Sequence, residues 1–239
     1  MTPGAMRWAD TMQPDLQAAA AFYGALMGWE LSADGDYLIA RVDGRRVAGI
    51  GQAPPGVPGA FWSTYVGVDA LEPALDRLAA AGASVLVRPM QINREARAAA
   101  VADPDGVPLG LWESATGFEL TREPGAWAMS ALHSPDPERA TRFYADAFGW
   151  EAEHTPPLVR WRLAGAEDVI AVMAPVQDGV PPHWAVNFRV EDVDAAVARA
   201  PGLGGTVLLG PLEAEGLRNA VIADPQGAVI AISAGTRPG

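Results

Sequence analysis

The chain carries the same pattern twice, at a constant spacing of 121 residues. The repeated landmarks are Pro14-Asp15 and Pro135-Asp136, Phe22-Tyr23 and Phe143-Tyr144, Gly28-Trp29-Glu30 and Gly149-Trp150-Glu151, and Asp103-Pro104 and Asp224-Pro225. Several matches at one offset are hard to produce by chance, and a repeat of this length decides the architecture before any single element does. We therefore expect two homologous modules, residues 1–118 and 125–239, with the linker inside residues 114–125.

Length and composition are those of an ordinary globular protein. The 239 residues are 49% hydrophobic and 19% charged, and a chain of this size buries about 70 to 75% of its unfolded surface. No apolar run approaches the ~20 residues of a membrane span, and the first ten residues lack the pattern of a secretory signal. We expect a cytoplasmic protein with no membrane partner.

Charge and missing residue types exclude several kinds of chemistry. A net charge of −12 repels phosphate backbones, so nucleic acid is not expected as a partner. The chain has no Cys, which excludes disulfides, thiolate nucleophiles and sulfur ligands for metals. All 17 basic residues are Arg, which excludes a lysine Schiff base and a P-loop lysine.

Within each module the pattern predicts a strand, a helix, several strands, a second helix and two more strands. The first helices are predicted to begin after Asp15 and Asp136 as N-caps and to end at Gly28 and Gly149. Their Phe-Tyr pairs are expected to pack the helix against the sheet. Later landmarks are Asp69 and Asp192 as caps of the second helices, Gly82 and Gly202 near their ends, and Gly106 and Gly227 at turns that require positive φ.

Two copies of Asp, Phe-Tyr, Gly-Trp-Glu and Asp-Pro-x-Gly in this order resemble the vicinal oxygen chelate superfamily. That superfamily includes glyoxalase I, extradiol dioxygenases, fosfomycin-resistance enzymes and bleomycin-resistance proteins. The resemblance covers nearly the whole chain, and is closest to tandem-module, glyoxalase-like bacterial proteins, some of which occur in natural-product pathways. It implies an α+β fold of two tandem modules, each built of paired βαβββ units in curved mixed sheets around a cavity.

The resemblance also locates the positions at which relatives hold a metal. The matching residues here are Trp8, Phe61 and Gly110 in the first module and Met129, His183 and Ala231 in the second. Only His183 is a ligand type, whereas a catalytic metal needs about three protein ligands. We therefore expect no metal and no other cofactor. A metal-dependent lyase or dioxygenase with atypical ligands, in which Asp10 and His133 substitute, stays open as an alternative.

Residues around these positions are predicted to line the cavity, because alternate side chains of a strand face the same side. The expected substrate-binding residues are Trp8, Met12, Phe61, Ser63, Tyr65, Trp112, Met129 and Asn187. Such a wall fits a flat, largely apolar or aromatic ligand held by few hydrogen bonds. In the alternative interpretation, the large side chains simply refill the space that the metal site left.

Arg97 and Arg218 match at the repeat spacing of 121. Each is predicted either to contact a ligand oxygen, as a further substrate-binding residue, or to brace a hairpin against a carboxylate.

Three residues are candidates for proton transfer: Asp10, His133 and His183. A desolvated carboxyl acquires a raised pKa, and an imidazole titrates near neutral pH. Each has a structural alternative: a hydrogen-bonded carboxylate for Asp10, a role in the turn for His133, and a satisfied wall histidine for His183.

The functional prediction is a metal-independent protein that encloses a small apolar or aromatic molecule, such as a natural-product intermediate or an antibiotic. It either transforms that molecule by acid/base chemistry, as a lyase, isomerase or cyclase does, or sequesters it as a resistance protein does. One chain supplies both modules, so a monomer and a homodimer are both compatible with the sequence.

Overall fold

The structure is a computed structural model that describes residues 2–53 and 59–235. Within these residues the backbone forms four consecutive βαβββ units. The first repeat contains β1 Met6–Gln13, α1 Leu16–Met27, β2 Glu30–Asp34, β3 Tyr37–Val42 and β4 Arg45–Gln52, then β5 Phe61–Gly67, α2 Leu71–Ala80, β6 Ser84–Gln91, β7 Arg97–Ala102 and β8 Pro108–Glu113. The second contains β9 Trp127–Ser134, α3 Pro137–Phe148, β10 Trp150–Thr155, β11 Leu158–Leu163 and β12 Val169–Pro175, then β13 His183–Arg189, α4 Val193–Arg199, β14 Thr206–Ala214, β15 Leu217–Ala223 and β16 Val229–Gly235.

Each repeat supplies one eight-stranded mixed sheet. The strand orders are β2-β3-β4-β1-β5-β8-β7-β6 and β10-β11-β12-β9-β13-β16-β15-β14, so the two sheets have the same topology. Strand β1 pairs in parallel with β4, as β5 does with β8, whereas the hairpins within each unit are antiparallel. The predicted α+β fold of tandem modules with paired βαβββ units is confirmed.

The two compact units of the structure do not coincide with the two sequence repeats. One compact unit contains Met1–Trp8, Ser63–Gly117 and Met129–Ala185, and the other contains Ala9–Trp62, Phe118–Ala128 and Val186–Gly239. Each unit therefore combines parts of both repeats. The module boundaries at residues 118 and 125 stay a prediction.

The first helices of both repeats begin and end where the sequence predicts. Asp15 accepts hydrogen bonds from the backbone N–H groups of residues 17 and 18, and Asp136 accepts one from that of residue 139. Gly28 and Gly149 end these helices with φ of 72° and 70°, a left-handed conformation that glycine adopts without a Cβ penalty. The capping signals of these helices are thus local and reliable.

The second helices correct two predictions. Helix α2 begins after Ala70 rather than Asp69, because the Glu113 carboxylate accepts a hydrogen bond from the Leu71 N–H at 2.7 Å and satisfies the helix start from another strand. Asp192 caps α4 as predicted, but the helix continues as a 3₁₀ turn and ends at Gly204 instead of Gly202.

The second unit of each repeat has three strands after its helix, where the sequence pattern predicts two. The additional strands, β6 and β14, lie at sheet edges. Their side chains are mostly exposed on both sides, including Val85, Leu86 and Leu208. Alternation of polar and apolar residues is the sequence signal of a strand, and an edge strand that is exposed on both sides lacks it.

The repeated tyrosine and aspartate meet in the core, in a relay that occurs once in each compact unit. Tyr23 donates a hydrogen bond to Asp224 at 2.8 Å and accepts one from the Trp62 indole at 2.8 Å. Tyr144 donates to Asp103 at 3.1 Å and accepts from the Trp184 indole at 3.0 Å. Burial raises the pKa of both tyrosines, so the hydroxyls act as fixed donors. The landmark tyrosines are therefore structural.

The landmark tryptophans are structural as well. The Trp29 indole donates to the Gly125 carbonyl at 2.6 Å, and the Trp150 indole donates to the Gly4 carbonyl at 2.7 Å.

No helix in the described part of the chain is both long and apolar enough to cross a membrane.

Candidate functional site

In the first repeat, aromatic rings fill the space around one of the positions where relatives hold a metal. Trp8 stacks on Trp112 with ring centroids 5.7 Å apart, and Tyr65 meets the Trp112 ring edge to face at 5.4 Å. The Tyr65 ring lies so close over Gly110 that any Cβ there would collide with it. Trp8 and Trp112 are each 2% exposed and Tyr65 is 7% exposed. As ligand-binding residues these three stay predictions.

Asp10 lies in a separate buried cluster of the same repeat. Its carboxylate is 0% exposed and accepts a hydrogen bond from the Tyr37 hydroxyl at 2.9 Å. The Tyr37 hydroxyl in turn lies directly over Gly49, and the Met12 sulfur lies against Gly51. A buried carboxylate with a hydrogen-bond donor matches the structural alternative for Asp10, and its catalytic role stays a prediction.

Phe61 and Ser63 occupy the strand that carries Tyr65. Phe61 is 39% exposed and its carbonyl accepts a hydrogen bond from the Thr11 hydroxyl at 3.0 Å, while Ser63 is half-buried. Their predicted contacts with a ligand are not tested by this arrangement.

The second repeat keeps alternate side chains of β9 and β13 half-exposed. Met129, Ala131 and Asn187 stand where the first repeat has the buried Trp8, Asp10 and Tyr65, whereas Met12, Phe61 and Ser63 are accessible like their counterparts His133, His183 and Ala185. Along β9 the half-exposed residues are Met129, Ala131 and His133, and along β13 they are His183, Ala185, Asn187 and Arg189. The residues between them are buried. In β1, the counterpart of β9, all but two residues are buried. One side of β9 and of β13 is therefore accessible to a ligand.

His133 and His183 form a stacked pair on these strands. Their ring centroids lie 4.6 Å apart and their planes are inclined by only 7°. They are two of the three histidines in the chain. We call His133 and His183, with the neighbouring half-exposed Met129, Ala131 and Ala185, the histidine face.

Proline carbonyls hold both imidazole rings. His183 Nδ1 lies 2.9 Å from the Pro181 carbonyl oxygen, and because a carbonyl only accepts, Nδ1 is the donor in this bond. His133 is likewise hydrogen-bonded to the backbone of Pro175. Burial, and next the charge of His183, lower the pKa of His133. His133 is therefore neutral at pH 7 and suited to accept a proton.

A hydrogen-bonded pair orders the Asn187 side chain farther along β13. The Ser233 hydroxyl donates to the Asn187 Oδ1 at 2.8 Å. Asn187 is also the Cα partner of Ala231 in the parallel pairing of β13 with β16. This bond leaves the amide N–H₂ of Asn187 to serve as a donor.

The two repeat-matched arginines are bound to carboxylates. Arg97 donates to Glu113 at 2.9 Å and to Glu72 at 2.6 Å. Arg218 donates twice to Asp194, at 3.1 and 2.8 Å. Of the two alternatives that the sequence left open, these contacts favour the bracing role.

Two clefts lie away from the predicted site residues. One, of about 400 Å³, is lined by residues that include Gly4 and Arg77, and the other, of about 800 Å³, by residues that include Gly125 and Arg199. Because these residues correspond in the two repeats, the clefts belong to the duplicated scaffold. They do not distinguish one repeat from the other.

The repeats match known sequence families separately. Residues 8–111 match the Glyoxalase/Bleomycin resistance protein/Dioxygenase superfamily, and residues 129–233 match a glyoxalase-like domain. CFP32 of Mycobacterium tuberculosis, which is provisionally named a glyoxylase, is 32% identical over 247 residues that cover 96% of this chain and 94% of that protein. The chain belongs to the glyoxalase/bleomycin resistance protein/dioxygenase superfamily.

The anthracycline biosynthesis protein DauV of Streptomyces sp. strain C5 is 31% identical over 263 residues, covering 95% of this chain and 91% of that protein. Solved structures share the superfamily fold at lower identity. The Mn(II)-bound glyoxalase from Novosphingobium aromaticivorans aligns with a TM-score of 0.68 at 18% identity, over 99% of this chain and 83% of that chain. The 2,3-dioxygenase LapB from Pseudomonas sp. KL28 aligns with a TM-score of 0.68 at 16% identity, over 100% of this chain and 96% of that one.

The donor set does not fit the metal that other members of the superfamily hold. In the first repeat the Tyr65 ring occupies the side-chain space at Gly110, where a carboxylate ligand would stand. In the second repeat Ala231 has no donor atom. Within residues 2–53 and 59–235, no three His, Cys, Asp or Glu side chains are grouped so that they could hold a metal ion.

Sequence reasoning missed several contributors to these sites. Tyr37 carries no repeated motif, and the proline carbonyls at residues 175 and 181 are backbone groups with no sequence signature. The bond between Ser233 and Asn187 was not predicted either, because the Cα partner of Asn187 in the parallel pairing is Ala231 and that of Ser233 is Arg189.

Proposed function

We propose that the chain binds a small aromatic or largely apolar organic molecule at the histidine face, and that His133 transfers a proton on it. The observation that carries this proposal is the stacked pair itself, in which both rings are held by proline backbone. Fixed tautomers present a defined acceptor nitrogen, which is what a general base requires. The names of two relatives, a glyoxylase and an anthracycline biosynthesis protein, support small-molecule chemistry of this kind.

The proposed chemistry is the removal and return of a proton. Neutral His133 takes a proton from an acidic C–H or O–H group of the ligand, such as one beside a carbonyl. Burial and the neighbouring His183 disfavour the charged ring, so the proton is held only transiently. Its return to another atom of the ligand gives isomerisation or cyclisation, and its delivery to a leaving group gives elimination.

A second candidate function is binding without turnover. Met129, Ala131 and Ala185 offer an apolar surface beside the imidazoles, and apolar contact alone suffices to hold a flat ring. In that case the histidines anchor the ligand as hydrogen-bond partners, as a sequestering resistance protein would require.

Deuterium exchange distinguishes these functions without knowledge of the product. The protein is incubated in D₂O with a panel of hydroxyanthraquinones that carry a C–H group beside a side-chain ketone, and mass spectrometry follows deuterium uptake while fluorescence titration measures binding. We expect binding and protein-dependent exchange, with exchange lost in His133→Gln. His154→Gln, which changes the exposed third histidine, is the matched control and should retain both. Binding without exchange in the unmodified protein indicates sequestration. Exchange that survives His133→Gln contradicts the proposed base.

A further inference from the structure

The same strand pairing occurs in both repeats but with different side chains. Tyr65 is the Cα partner of Gly110 in the parallel pairing of β5 with β8. Asn187 is the Cα partner of Ala231 in the parallel pairing of β13 with β16. Two residues farther along the last strands stand Trp112 and Ser233. The second repeat thus replaces a tyrosine by an asparagine and a tryptophan by a serine at equivalent positions.

In the first repeat the phenol ring of Tyr65 occupies the space beside the last strand at Gly110. The ring of Tyr65 lies across Gly110, which has no side chain to displace it, and the Trp112 ring stands against its edge. All three residues are buried. The first repeat therefore holds an aromatic ring of its own over the last strand at this position.

In the second repeat the equivalent residues are much smaller. Asn187 and Ala231 are half-exposed, whereas Tyr65 and Gly110 are buried. The Ser233 hydroxyl, itself 1% exposed, holds the Asn187 amide by its oxygen at 2.8 Å. A held amide whose N–H₂ group is available recognises an oxygen acceptor.

We propose that Asn187, positioned by Ser233, recognises the oxygen of a phenol or quinone ring that lies over Ala231 as the Tyr65 ring lies over Gly110. This inference goes beyond the proposed function and concerns Asn187, Ala231 and Ser233, which all belong to one compact unit. Asn187 is the residue that touches the ligand, and Ser233 acts through Asn187 as a positioning residue.

NMR titration with p-cresol tests the subsite. In ¹⁵N-labelled protein, p-cresol should shift the side-chain amide signals of Asn187, and it should bind about 3- to 10-fold more tightly than toluene, the effect of one net hydrogen bond. Asn187→Leu, which keeps the volume and removes the amide, should abolish this preference. Ser233→Ala should reduce it while leaving toluene binding unchanged, which a merely structural serine would not do.

Exchange of side chains between the repeats gives the reciprocal test. Asn187→Tyr with Ser233→Trp should fill the second site and remove p-cresol binding. Tyr65→Asn with Trp112→Ser should empty the first and raise the stoichiometry from one p-cresol to two per chain. If the latter variant fails to fold, Tyr65→Gly alone should show a melting temperature that p-cresol raises by more than it raises that of the unmodified protein, because the variant binds two molecules and the unmodified protein binds one.

Equal binding of p-cresol and toluene, or an unchanged preference in Asn187→Leu, overturns the subsite. That outcome is separate from failure of the proposed function, since deuterium exchange at the histidine face reads the His133 base in a different assay. Exchange without an Asn187 effect leaves the base standing and removes the subsite. An Asn187 effect without exchange supports the subsite in a protein that binds and does not catalyse.

Discussion

The two repeats share one topology and use it in opposite ways. The first buries several rings: Trp8 stacks on Trp112, Tyr65 meets Trp112 edge to face, and Tyr37 closes over Gly49. The second places Met129, His133, His183 and Asn187 at half-exposed positions of the corresponding strands. The repeats thus differ most at Trp8 against Met129, Tyr65 against Asn187 and Trp112 against Ser233, and substitutions at these positions should have different consequences in each.

The largest difference is expected from truncation of the last-strand residue. Trp112→Ala removes a buried indole from the aromatic cluster and should lower the free energy of unfolding by about 3–5 kcal/mol. Ser233→Ala, at the equivalent position, should lower it by about 1–2 kcal/mol at most, the contribution of one buried hydrogen bond. Denaturant unfolding of both variants measures the contrast. Equal losses would show that the two repeats are packed alike.

Enlarging Gly110 or Ala231, the strand-pairing partners of Tyr65 and Asn187, should change stability by different amounts in the two repeats, with a smaller difference than the truncations give. Gly110→Val forces a side chain into the Tyr65 ring and should destabilise the protein by about 1–3 kcal/mol. Ala231→Val enlarges a half-exposed residue and should change stability by about 0.5 kcal/mol or less. Thermal unfolding of the pair checks the prediction, and a tolerated Gly110→Val would show that Tyr65 moves aside easily.

The smallest predicted effect is a pH dependence of stability that belongs to the second repeat. The pKa of His133 is lowered in the folded state, whereas an unfolded histidine titrates near pH 6.5. Above that pH both states are neutral and the group has no effect. As pH falls below about 6.5 the unfolded state binds the proton first, so stability decreases until the folded pKa is passed.

Between pH 7 and pH 5 the free energy of unfolding should therefore fall more steeply in the unmodified protein than in His133→Gln. His154→Gln should follow the unmodified protein. The comparison of variants isolates His133 from the carboxyl groups, which contribute equally to all three. Parallel curves for all three proteins would contradict the lowered pKa.

Much of the fold could be predicted from sequence because its signals are local. A constant repeat spacing, Asp caps and terminal glycines identify the units and the ends of α1 and α3, and the alternation of β13 correctly separates His183 and Asn187 from buried Trp184. Strand β6 was missed because its exposed edge residues, such as Leu86, carry no periodic pattern. The cap of α2 was misplaced because its acceptor, Glu113, comes from a distant strand.

The difference between the repeats could not be predicted for a related reason. Whether Tyr65 lines a cavity or fills it depends on its position over Gly110, 45 residues away in the chain, and sequence gives the identity of both without their contact. The stacking of His133 on His183 is likewise a contact between two strands, β9 and β13, that are separated in the chain by α3 and three other strands. Packing across strands decided which predicted residues are accessible.

Hydroxyl-radical footprinting tests the central contrast most directly, because it reads side-chain accessibility in both repeats at once. Met129 and His133 should be modified readily and should be protected by a bound hydroxyanthraquinone, whereas Trp8, Tyr65 and Trp112 should resist modification despite their reactive rings. Rapid modification of Trp8 and Trp112 with ligand protection there, and none at Met129 or His133, would place the accessible site in the first repeat and contradict the account.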